Sequence, residues 1–276
     1  MIQFFSDFFS FSFLLRALIG GALVALSASL LGTSLVLTRY AMIGDGLSHV
    51  AFGALAIAMA LSAAPLLIAI PVVMLAAFLL LRLSDNNRVR GDSAIAMLSS
   101  ASMAVGVIVI SLVSGMNTDL YSFMFGSILS MSQSDMVMAI LLSVVVTMLF
   151  SFSYNNLFAV TFDENFARAS GVRAGIWNAL LAMLASVTIV LGMRIMGAIL
   201  ISSLIIFPPL SAMRLCGSFK GVTLLSALSS IVCFVVGLFL SYALDLPSGP
   251  VIVLTNVACF LLFSSIRLVR GRKRFC

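Results

Sequence analysis

The chain has 276 residues, 62% of them hydrophobic and only 9% charged, where an ordinary soluble domain carries about 25% charged residues. So few charges cannot clothe a chain of this length in water, which argues against a soluble enzyme, and with no Gly-X-Y period and no heptad run a fibrous protein is equally poorly matched. The net charge of +6 fits the basic cytoplasmic loops of a membrane protein better than it fits nucleic-acid binding.

Taken in chain order, the N-terminus has no basic n-region and no small-residue cleavage site, so no cleaved signal peptide is expected. Phe4, Phe5, Phe8, Phe9, Phe11 and Phe13 predict instead an aromatic interfacial segment over 1–13. A span takes roughly 20 apolar residues. Apolar runs follow at about 14–38, 44–62, 64–83, 93–114, 135–154, 176–193, 195–214, 221–243 and 248–269. Two neighbouring pairs are divided only near Pro65 and Arg194, so one run is expected to be broken or re-entrant, leaving about eight spans in a range of seven to nine. The runs lack the alternation of a membrane barrel, so the expected fold is all-α, a polytopic bundle forming a single transmembrane domain over 1–276.

Charge sets the expected orientation. Most of the fifteen basic residues fall in four clusters: Arg82, Arg88 and Arg90; Arg168 and Arg173; Arg214 and Lys220; Arg267, Arg270, Arg272, Lys273 and Arg274. Loops with acids alternate with them, carrying Asp119 and Asp135, then Asp245. The positive-inside rule places the clusters and the C-terminus in the cytoplasm and 115–135 outside. Arg194 breaks the pattern as a lone base in a tight outer turn, and 244–250 reads as a tight extracellular connection bounded by Pro247 and Pro250.

Two stretches could carry chemistry. The first runs from Tyr40 to Val50 and holds the single histidine, His49, four residues after Asp45. That spacing puts both on one helix face. A carboxylate within the hydrocarbon costs roughly 2.5–3.5 kcal/mol, so it turns to the bundle interior or a wet cavity. One carboxylate and one imidazole suit zinc, manganese or ferrous iron. Gly44 and Gly46 allow the backbone to unwind around Asp45, as broken helices do along transport paths, and Ser48 could add an oxygen. The residues alone leave a second reading open, in which Asp45 lies in a loop beside Arg39 and His49 only packs.

The second stretch, Thr161 to Val172, is polar and cytoplasmic by the charge pattern. Asp163 and Glu164 suit a helix N-terminus and Gly171 its C-terminal cap, which predicts a helix of about two turns within a cytoplasmic loop over 155–175. Its small residues, Ala167, Ala169 and Gly171, predict a docking surface. No phosphate-binding Gly-x-x-x-x-Gly-Lys-Ser/Thr loop is present and no Ser/His/Asp triad can be assembled. Cys216, Cys233, Cys259 and Cys276 form no C-x-x-C pair, so neither a disulfide framework nor a cysteine metal site is expected.

Five segments in order resemble the metal-ion class of ABC-transporter permeases. They are Met42-Ile-Gly-Asp-Gly-Leu-Ser-His49; Asp119-Leu-Tyr-Ser-Phe-Met-Phe-Gly-Ser-Ile-Leu129; Phe162-Asp-Glu-Asn-Phe-Ala-Arg-Ala-Ser-Gly-Val172; Gly197-Ala-Ile-Leu-Ile-Ser-Ser-Leu-Ile-Ile-Phe-Pro208; and Leu246-Pro-Ser-Gly-Pro250. The resemblance implies a type II importer-like permease in the bacterial plasma membrane. It also implies a homodimer working with two cytoplasmic ATP-binding subunits and an extracellular or periplasmic metal-binding protein. Asp45 and His49 would then meet the metal, while Asp163, Glu164, Ala167 and Gly171 would dock the ATPase. The chain itself would be no enzyme and hold no permanent cofactor; zinc, manganese or iron would be cargo. Pro209-Leu-Ser departs from the family pattern after the proline, and Gly53 replaces a Pro-Gly pair common in manganese members, which tips the expectation to zinc with manganese as the alternative. A secondary metal transporter without an ATPase is the remaining rival.

Overall fold

Long apolar runs in a bilayer must satisfy their own backbone hydrogen bonds, and helices do this within one segment. The computed structural model describes residues 11–38, 40–85, 91–113, 126, 128 and 131–270, and among these it is all helical, without strands. The helices are α1 (Ser12–Leu37), α2 (Ile43–Ala60), α3 (Pro65–Asp85), α4 (Gly91–Leu112), α5 (Gln133–Phe152), α6 (Tyr154–Phe162), α7 (Glu164–Ala169), α8 (Ala174–Met196), α9 (Ala198–Leu215), α10 (Phe219–Leu244) and α11 (Ser248–Arg270). Eight are long and apolar enough to cross a membrane, and α3 adds a shorter apolar stretch, Pro65–Leu80. The chain is therefore a multi-pass membrane protein. Residues 1–10 of the expected interfacial segment over 1–13, the bases at 88, 90 and 272–274, and Asp119 lie outside the described residues, and the segment's last residues, Ser12 and Phe13, already belong to α1.

Local chemistry sets the helix ends. The Ser132 hydroxyl accepts from the Asp135 N–H while Asp135 accepts from the Ser132 N–H, a capping box that starts α5. Ser218 caps α10 by accepting from the Gly221 N–H at 3.1 Å. Gly197 (φ 89°) turns α8 directly into α9, and Asp245 (φ 52°) ends α10 before Pro247.

α1 is the central post, packed by α5, α8, α9 and α10. Hydroxyls fasten it to α10: Ser230 donates to the Ala25 carbonyl at 2.9 Å and Ser226 to that of Ser29 at 3.4 Å. Such interhelical bonds are worth about 0.6 kcal/mol on average in a membrane bundle. Gly32 lets α1 close on α9 until a Cβ there would overlap the Ile205 carbonyl. That carbonyl is free of the usual helical donor because the residue four positions on is Pro209, which has no N–H. On the other side of the bundle α2 lies between α3, α4 and α9. The outer ridges of α4 and α11, such as Met97, Leu262 and Leu268, are apolar and exposed, the lipid-facing surface that composition requires.

Cys216 is disulfide-bonded, which corrects the expectation of no disulfide. Sequence spacing says nothing about which distant segments meet. Cys233 and Cys259 are free.

Candidate functional site

The turn between α1 and α2 brings the chain back into the bundle, and α2 begins without a side-chain cap at Met42. The buried back of its first turns is formed by glycines: Gly44 meets Ile205 of α9, and a Cβ on Gly46 would lie 2.5 Å from Ile95 of α4. With that face closed, Asp45 and His49 project from the other side, their side chains 44% and 24% exposed. His49 Nε2 stands 3.6 Å from Asp45 Oδ2. This exceeds a hydrogen-bond distance yet is less than twice a metal–ligand bond of about 2.1 Å. One cation can therefore touch both groups without spreading them. Ser48, beside that face, is fully buried and donates to the Asp45 carbonyl at 2.7 Å. Ser202 of α9 donates to the Ser48 hydroxyl at 3.2 Å. Among the described residues no group of three or more His, Cys, Asp or Glu forms a metal cluster, so one copy of the chain offers two such donors.

The second stretch folds as the corner α6–α7. Asp163 is the N-cap of α7, accepting from the Phe166 N–H at 2.9 Å, and Glu164 opens the helix and pairs with Arg168 one turn on. Gly171 (φ 87°) closes it. The Val172 N–H donates to the Ala167 carbonyl and the Gly171 N–H to that of Arg168, the two bonds of a Schellman cap.

The two sites meet underneath. A cavity of about 220 Å³ is lined by Thr38 and Tyr40 from the α1–α2 turn, by Leu47 of α2 and by Thr161, Glu164 and Asn178. A second, of about 200 Å³, shares Tyr40, Glu164 and Asn178 and adds Arg82 and Arg168. Glu164 therefore faces the turn that leads to Asp45.

The model of the ABC 3 transport family matches residues 10–267. The chain belongs to that family. It is similar to the manganese import system permease protein ScaB of Streptococcus parasanguinis, 31% identical over 94% of this chain and 92% of the relative. It is also similar to the manganese transport system membrane protein MntC of Halalkalibacterium halodurans, 29% identical over 94% and 89%. Among solved structures it resembles PsaBC from Streptococcus pneumoniae in complex with Fab, with 28% identity and a TM-score of 0.87, covering 98% of this chain and 100% of that one.

Within this ABC 3 family member, the structure brings Asp45 and His49 together as the spacing predicts, and it places Asp163, Glu164 and Gly171 at the two ends of one short helix. Ala167 is different. It is fully buried against Val160 and Ala174, so it seats α7 on the bundle and cannot itself touch a partner. The outward face instead carries Phe162 and Phe166, 60% and 68% exposed, which the search for small residues passes over. Two bulky aromatics in an otherwise polar loop are the signal that marks them. Ser202 is the other residue missed, because its partner Ser48 is 154 positions away.

Proposed function

We propose that this ABC 3 family chain is the membrane-spanning permease subunit of an ATP-driven importer of divalent metal ions, with manganese as the cargo. The observation that carries the proposal is the Asp45–His49 pair, a carboxylate and an imidazole 3.6 Å apart and half open on one face of an otherwise apolar helix. A second copy of the chain facing the first would double the donor set and enclose the ion between two bundles. The ion exchanges part of its hydration shell for carboxylate oxygen and neutral imidazole nitrogen, held weakly enough to leave. The 1–276 chain then forms one transmembrane permease domain in a bacterial plasma membrane, with α7 and the C-terminus on the cytoplasmic side and a metal-binding protein delivering cargo outside. Two ATP-binding subunits supply the hydrolysis, docking on the surface around Asp163, Glu164, Phe166 and Gly171. Their motion reaches Asp45 through the cavity that Glu164 shares with the α1–α2 turn.

Manganese is preferred over zinc because the named relatives are manganese permeases and because Gly53 has another explanation. A Cβ there would lie 2.6 Å from the Ser102 carbonyl of α4, so glycine is required by helix packing and carries no information about the metal. The deciding experiment is uptake of radioactive manganese against zinc by the reconstituted permease, ATPase and binding protein, with and without ATP. ATP-dependent manganese uptake that Asp45→Ala removes supports the reading, and zinc uptake with manganese excluded overturns the choice of cargo.

A further inference from the structure

We propose that the crevice between α5 and α10 is a binding site for an anionic phospholipid, with Lys220 holding the phosphate. α5 and α10 each pack on α1 but make almost no contact with one another. The gap between them is a cavity of about 560 Å³ with Leu26 and Leu30 of α1 as its back wall. Its long wall is apolar, with Phe150 from α5 and Leu224 and Ala227 from α10. Small hydroxyls (Thr147, Ser151, Thr223) dot the walls, and the one charged group stands at the end where Tyr154 and Asn155 open α6 and Lys220 opens α10. The site thus has the two-part chemistry of a phospholipid: an apolar slot that accepts an acyl chain and, at its mouth, a cation beside a phenol and an amide.

Two further observations favour this occupant. Lys220 is exposed, and among the described residues no ion pair engages it. The polar mouth is also at the α6–α7 end of the bundle, which the charge pattern assigns to the cytoplasmic leaflet, where anionic headgroups attract basic residues. α2 packs on α3, α4, α8 and α9 and contributes nothing to this cavity, so the site is separate from the Asp45–His49 face.

The test is native mass spectrometry of the detergent-purified full chain, offered dioleoyl phosphatidylglycerol and dioleoyl phosphatidylcholine in equal amounts. Wild type should retain the anionic lipid preferentially. Lys220→Gln should cut that preference about fivefold, the factor that one basic residue near an anionic headgroup is worth, without changing phosphatidylcholine retention. Leu224→Trp, which fills the slot from an exposed position, should lower retention of both lipids. An unchanged preference in Lys220→Gln overturns the proposal. So does full displacement of phosphatidylglycerol by soluble glycerol phosphate, because the slot would then bind only the headgroup.

Discussion

Ser202 of α9 reaches Ser48 of α2, hydroxyl to hydroxyl at 3.2 Å, and Ser48 in turn donates to the Asp45 carbonyl at 2.7 Å. It is a polar contact that ties α2 to α9 beside the packing of Gly44 on Ile205. A hydrogen bond between neutral groups is worth about 0.5–1.5 kcal/mol, and the single Ser202 proton is shared with the Ala198 carbonyl. Ser202→Ala should raise KM for manganese uptake about threefold while leaving assembly intact, and Ser202→Thr should restore most of it. Uptake kinetics in proteoliposomes measure both. An unchanged KM in Ser202→Ala would remove the residue from the path.

Gly32 sets how closely α1 approaches α9. A methyl at that position overlaps backbone, the Ile205 carbonyl, which cannot swing away as a flexible side chain could. Overpacking of this kind costs about 1–3 kcal/mol. Gly32→Ala should lower the melting temperature of the purified chain, and Gly32→Val should abolish folded yield, both read by thermal unfolding in detergent.

On the docking corner, burial separates contact from support. Phe166→Ala removes an exposed ring and should leave the fold untouched while weakening ATPase binding by about 2 kcal/mol or more, the typical loss of an aromatic anchor. Glu164→Lys sets two bases side by side with Arg168 and should loosen α7 itself. Gly171→Ala meets no atom within 4 Å but must hold φ 87°, a strain of about 1–2 kcal/mol, so a moderate loss is expected. Co-purification of the ATPase with each variant ranks them, and full-strength capture by Phe166→Ala would move the docking surface elsewhere.

At the other end of the bundle Arg194 stands 3.6 Å from Asp135, joining α8 to the start of α5. Asp135 also completes the capping box. Arg194→Ala breaks a partly exposed pair and should cost less than about 1 kcal/mol. Asp135→Ala removes the pair and the carboxylate half of the capping box, while the Ser132 hydroxyl still caps the backbone N–H of residue 135, and should cost about 1 kcal/mol or somewhat more. Melting temperatures of the two variants should fall in that order.

Hydropathy alone located every membrane helix to within a few residues, because in lipid a span must be long, apolar and helical whatever it packs against. The Asp45–His49 face was equally legible, being fixed by a local spacing of four. What stayed hidden depends on distant partners. Arg194 is an anomaly in the charge pattern until Asp135 is placed beside it, and Ser202 is one serine among many until α9 meets α2. Ala167 misleads for a different reason: a helix of six residues has too little period to show which face turns inward.

The position of Asp45 has a kinetic consequence. It stands in the first turn of α2, where unpaired backbone N–H groups leave about half an elementary positive charge. Part of the carboxylate's pull is therefore answered before any ion arrives. On the proposed path, a cation at Asp45 would find a shallower well than a bare acid would make, and its dwell time would shorten accordingly. A carrier that must release its cargo in every cycle is better served by such a half-neutralised acid than by a tight trap.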